Sequence, residues 1–146
     1  MTKQLIIILI DDDPMNNFLS KMVITRVEPV ATFYVFTECE AALDFISNTW
    51  SIFKSANLAL ILLDAYLPQS TGWDFLEDFE KLDDELKNQF HIVMLSASIL
   101  ISDKERAFNN KLDFIEKPLT VQKAKLLLEQ LSARQDVDTV EASIIE

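Results

Sequence analysis

Five residues far apart in the chain carry its chemical possibilities: Asp11, Asp12, Asp64, Ser96 and Lys117. Asp11 and Asp12 end the run IIILIDDDP and share it with Asp13. At about 5 Å and an effective dielectric near 20, two ionised carboxylates repel by about 3 kcal/mol, so such a cluster asks for a cation. Asp64 ends LALILLD, Ser96 ends HIVMLS, and Lys117 follows FIE and precedes Pro118. Carboxylates are hard oxygen ligands and suit Mg²⁺, which keeps several waters and shares phosphate oxygens. One histidine and one cysteine leave no donor set for Zn²⁺. A carboxylate beside a divalent cation can act as a nucleophile toward phosphorus. A hydroxyl and an ammonium opposite it would hold the transferred oxygens, a reaction governed by positioning and charge neutralisation.

For that chemistry the five residues must meet. Apolar runs recur at Leu5–Ile10, Thr32–Phe36, Leu58–Leu63, Ile92–Leu95 and Leu112–Ile115. Several are unbroken, as in parallel strands covered on both faces. Stretches of helical spacing lie between them. Asp13 reads as the N-cap of a helix opened by Pro14, with Phe18, Met22 and Val23 on its apolar side. Thr37 with Glu40, before Ala41–Trp50, and Ser102 with Glu105, before Ala107 and Phe108, have capping-box spacing. Phe75, Leu76, Phe79 and Leu82 mark a third helix, and Val121, Ala124, Leu127, Leu128 and Leu131 mark the last. The pattern predicts five βα units, an α/β fold with a parallel sheet and helices on both faces. Ligands of such sheets bind beyond the carboxyl ends of the strands, where four of the five runs place their polar residues.

Composition narrows the function classes. Of 146 residues, 24 are acidic and 13 basic, for a net charge of −11. This excess of acid opposes a direct hold on nucleic acid, and no apolar run is long enough for a bilayer. With one glycine, Gly72, the chain holds neither a phosphate-cradling P-loop nor a GxGxxG turn. A soluble cytoplasmic location is expected from the lack of a signal-type N-terminus.

Over residues 3–131 these motifs resemble the receiver domain of two-component response regulators. The resemblance rests on Asp11 with Asp12, on LLDAYLPQSTGWDFL, on MLSAS and on FIEKP; Asp64, Pro68 and Gly72 keep the family's D-x-x-x-P-x-x-x-G spacing. It implies a flavodoxin-like (βα)5 sheet of strand order 2-1-3-4-5. It makes Asp64 the phosphoacceptor, with a phosphohistidine on a sensor histidine kinase or histidine phosphotransfer protein as donor. Asp12, Asp64 and the Tyr66 backbone carbonyl would ligate Mg²⁺, Asp11 acting largely through water. Lys117 and Ser96 would hold phosphoryl oxygens, and Phe114 takes the aromatic switch position. The chain departs from common members by Ser96 in place of Thr, Phe114 in place of Tyr, and Asn109 and Asn110 where a glycine is usual before strand five.

Residues 1–131 are thus expected to form the receiver domain, with 132–146 a tail or an extension of the last helix. No output module is expected within the chain, which would signal by protein contact through helix four, strand five and helix five, as a monomer or a phosphorylation-induced dimer. The rivals are a degenerate receiver that binds partners constitutively and a Mg²⁺-dependent phosphohydrolase. The latter needs a second Asp two residues after the nucleophile, where Tyr66 stands. His91, Cys39 and Trp73 read as structural, and the acidic stretch Glu77–Glu85 as a solvated helix face.

Overall fold

Along β1 (Leu5–Ile10), Ile6, Ile8 and Ile10 enter one apolar cluster while Leu5, Ile7 and Leu9 enter another, as the two-residue period of a strand requires. The computed structural model describes residues 4–49, 58–67, 71–97, 101–109 and 112–145, apart from the side chains at 58, 101–104 and 134–145. The remaining strands are β2 (Thr32–Phe36), β3 (Leu58–Asp64), β4 (Phe90–Ser96) and β5 (Asp113–Glu116). All four pairings are parallel and the order is β2-β1-β3-β4-β5. β1 therefore has a partner on each side, and the order reverses between β1 and β3.

Among the described residues, five main helices cover the sheet: α1 (Pro14–Val27), α2 (Cys39–Asn48), α3 (Gly72–Glu80), α4 (Ile101–Asn109) and α5 (Val121–Ile145). Ile24 of α1 and Ala124, Leu127 and Leu131 of α5 pack on Ile7, Leu60, Leu62 and Val93. On the opposite face, Ala42 and Ile46 of α2, Trp73, Phe75 and Phe79 of α3, and Ala107 of α4 pack on Ile8, Ile61 and Met94. The unbroken apolar runs follow from this double cover, since residues of both parities lose contact with water.

Several expected details differ. α1 has apolar residues on more of its circumference than one core face can take: Ile24 and Asn17 are buried, whereas Phe18 and Met22 are exposed together with Met15 and Leu19. α2 starts at Cys39 behind Glu38, with no side-chain bond at its cap, so Thr37 and Glu40 form no capping box. Ser102 lies inside α4 and is not its cap. The reciprocal box sits at α3, where Thr71 Oγ1 accepts from Asp74 N and Asp74 Oδ2 accepts from Thr71 N. The stretch Glu77–Glu85 is not one helix face: α3 stops at Glu80, Leu82 falls in the connection, and a separate turn of helix spans Asp84–Lys87. Trp50, Pro68 and Asn110 lie outside the described residues.

Gly72 joins fold to site. Its N–H donates to Ala65 O at 2.9 Å. A Cβ there would lie 2.7 Å from Asp64 O, 2.9 Å from Met94 Cε and 3.1 Å from Ala65 Cα. Two of these three neighbours are backbone, so the chain itself must yield. Gly72→Ala is expected to destabilise the protein by about 2–3 kcal/mol through overpacking, read from the urea midpoint; a loss under about 0.5 kcal/mol would show that α3 can back away.

Candidate functional site

The reversal of strand order creates a crevice between the ends of β1 and β3, and the polar residues after the apolar runs converge on it. Carboxylate oxygens of Asp11, Asp12 and Asp64 lie within 4.8 Å of one another. Asp11 and Asp64 are buried and Asp12 is exposed. Lys117, beyond β5, reaches in from the far side. Its Nζ is 2.7 Å from Asp11 Oδ2 and 3.4 Å from Asp64 Oδ2. Ser96 ends β4 buried, and its carbonyl accepts from Lys117 N at 2.8 Å. The Lys117–Pro118 peptide is cis.

The two buried carboxylates are also fixed by backbone. Asp13 N donates to Asp11 Oδ1 at 2.9 Å, and Tyr66 N donates to Asp64 Oδ1 at 3.2 Å. Asp13 points away from the cluster and accepts from Met15 N at 2.9 Å, capping α1 with Pro14 in the first turn. The triple aspartate is therefore two cluster members and a cap.

Asn17 is a positioning residue that sequence reasoning missed. Buried in the first part of α1, it donates through Nδ2 to Asp11 O at 3.0 Å and to Phe36 O at 3.2 Å. Asp11 N also donates to Phe36 O. One amide thus ties the ends of β1 and β2 to α1 and sets the direction in which Asp11 leaves the sheet. The available signal was spacing: Asn17 stands seven residues before Ile24, on the same helix face.

The charges are unequally settled. Burial raises the Asp64 carboxyl above its ordinary range; the Tyr66 N–H and Lys117 pull it down without cancelling the rise, and the Asp11 charge adds to it. Burial alone would lower the Lys117 ammonium, but the bond to Asp11 and the charges of Asp64 and Asp11 outweigh it and hold it above its ordinary range. One ammonium against three carboxylates leaves a local excess of negative charge. An all-oxygen donor set with this excess fits a hard divalent cation.

Phe114 lies on β5 near this site, half-buried against the α2–α3–α4 core. His91 is at the other end of β4, with Nε2 2.7 Å from Asp113 Oδ2. Cys39 is a free, buried cysteine at the start of α2, and the Trp73 ring is covered by Arg106 at 4.4 Å. None of these three joins the carboxylate cluster. Among the described residues, no helix is long and apolar enough to cross a membrane.

The family model for the response regulator receiver domain matches residues 7–129. The heme response regulator HssR of Staphylococcus epidermidis is 29% identical over 108 residues, covering 72% of this chain and 42% of the relative. The probable C4-dicarboxylate response regulator DctR of Bacillus subtilis is 27% identical over 128 residues, 85% of this chain and 50% of the relative. The chain thus spans half or less of the length of these relatives. A two-component response regulator from Cytophaga hutchinsonii superposes with a TM-score of 0.78 at 25% identity, covering 90% of this chain and 99% of that structure. Sheet order, crevice and sequence agree with one another, and the chain belongs to the receiver domain family of two-component response regulators.

Proposed function

We propose that this protein is a phosphorylation-dependent switch that accepts a phosphoryl group on Asp64 with Mg²⁺ and signals by protein contact, residues 1–131 forming the receiver unit. The observation that carries this reading is the clustering of Asp64 with Asp11 and Asp12, with the Lys117 ammonium in reach of both Asp11 and Asp64. Asp12, Asp64 and the Tyr66 carbonyl, with Asp11 through water, would hold the ion, which when bound neutralises the carboxylates and the incoming phosphoryl oxygens. The Asp64 carboxylate attacks phosphorus as the P–N bond of the donor phosphohistidine breaks. The imidazole leaves with the bonding pair and takes a proton, and an acyl phosphate remains. Lys117 turns from Asp11 toward the new phosphoryl oxygens, and the Ser96 hydroxyl donates to one of them. Asn17 keeps Asp11 in place throughout.

Two surfaces support the proposed partners. Met15, Phe18, Leu19 and Met22 form an exposed apolar stripe on α1 that begins beside Asp12 and Asp13, where a sensor histidine kinase or phosphotransfer protein must approach. Toward the β5 edge of the sheet, exposed Phe108 of α4, half-buried Phe114 of β5 and exposed Leu126 of α5 offer the downstream contact. We assign Phe114 the switch position linking Ser96 to that flank, and a cytoplasmic setting suits a kinase partner.

Three outcomes test the reading. Incubation with Mg²⁺ and acetyl phosphate should add one phosphoryl mass, lost with chelator and in Asp64→Asn; labelling that survives the substitution removes Asp64 from the central role, and none in the wild type leaves a constitutive binder. Lys117→Gln should still label, but slower by on the order of a hundredfold, while Mg²⁺ binds more tightly because a competing cation is gone. In chelator at neutral pH, Asp64→Asn should melt a few degrees above the wild type. The reason is that the folded-state pKa of Asp64 is raised, so its ionised form costs stability, a cost that grows as pH rises through that pKa. The gap should close as pH falls toward the ordinary carboxylate range, where wild-type Asp64 is neutral too. A gap independent of pH would assign the effect to packing.

A further inference from the structure

A second concavity lies between α2 and α3, on the face of the sheet opposite α1. It has a volume of about 610 Å³. Its floor is apolar, made by Cys39, Leu43, Leu67 and Phe75. Its walls carry five carboxylates: Asp12 where it meets the crevice, Glu38 and Glu40 on the α2 side, and Asp74 and Asp78 on the α3 side. Among the described residues, no Lys, Arg or His lines it.

Some carboxylates outside the groove have cationic partners among the described residues. Lys117 serves Asp11 and Asp64, Lys87 serves Glu80 and Asp84, and His91 meets Asp113. In the groove only Asp78 has a cationic partner among the described residues, Lys81 at 3.6 Å on the surface, and Asp74 is occupied by the Thr71 backbone. Asp12, Glu38 and Glu40 have no ion pair there.

We propose that this groove docks a basic amphipathic segment of a partner protein, an apolar side chain seated on the partly exposed Leu43 and Leu67 and Lys or Arg side chains against the carboxylate walls. The wall residues are exposed, and exposed ion pairs are individually worth little, so a small cation without an apolar part gains too little to hold the site. A segment that buries an apolar anchor and meets several wall charges at once gains from both, with the charges setting orientation and partner choice. The groove lies apart from the α4–β5–α5 flank, and Asp12 lines both it and the phosphorylation crevice, so an occupant touches a residue of the proposed metal site.

The probe is a short Leu/Lys amphipathic helical peptide, with its Leu/Glu counterpart and spermidine as comparators, on the unphosphorylated protein so that Asp64 chemistry does not enter. Amide chemical shifts of the wild type should move at Glu38–Leu43 and Asp74–Asp78, with the Leu/Lys peptide alone. Charge reversal at Glu38→Lys with Asp78→Lys should weaken peptide binding about tenfold, while Glu77→Lys with Glu85→Lys, equal in charge but outside the groove, changes it less than about twofold. Equal losses in both pairs, shifts centred elsewhere, equal binding of spermidine or no binding at all would each overturn the proposal. The shift map uses the unmodified protein and decides the matter even if a variant pair does not fold.

Discussion

One ammonium shared by two buried carboxylates is the interaction on which this site depends. Lys117 touches Asp11 at 2.7 Å and Asp64 at 3.4 Å, so it leans toward the residue that is not the proposed acceptor. Removing Lys117 would leave two buried carboxylates without their counter-charge, the costly way to break such a group. The arrangement stays under-neutralised even when intact, because Asp12 adds a third negative charge at the rim. A site that is comfortable without a cation would have little reason to take one up. Here the folded chain holds the carboxylates together and leaves an excess of negative charge that a hard divalent cation would neutralise.

That geometry comes from a few contacts at the sheet edge. Asn17 binds two carbonyls from different strands, Gly72 lets α3 start against the Asp64 carbonyl, and the carbonyl of Ser96 receives the Lys117 N–H. The core beneath is two separate apolar layers, one under α1 and α5 and one under α2, α3 and α4. The sheet between them is buried over almost all of β1, β3 and most of β4, a stiff base for side chains that must keep their separations.

Much of this was legible in the sequence for definite reasons. The strands were readable because burial on both faces leaves an unbroken apolar run, and the five chemical residues because each stands within two residues of the end of such a run. What escaped was what depends on rotation about a helix axis or on a partner distant in sequence. The apolar side of α1 is expected at Phe18, Met22 and Val23; Val23 does pack on the core, but apolar residues surround most of that helix and only packing selects Ile24 over Phe18 and Met22. The capping box was sought at Thr37 and found at Thr71, where the acid is Asp74 in place of the commoner Glu. The grip of Lys117 on Asp11 spans 106 residues, and no local pattern announces it.

His91 has a consequence of a different kind. It is the only histidine in the 146 residues, and it sits at the second position of β4, held by Asp113, while Ser96 marks the end of that strand at the crevice. Five residues of extended chain separate the two ends by roughly 16 Å through the middle of the sheet. A phosphoramidate on this imidazole would therefore face the wrong end of the molecule, walled off from Asp64 by the chain's own core. On the proposed reading, a phosphohistidine donor to Asp64 would have to come from another molecule.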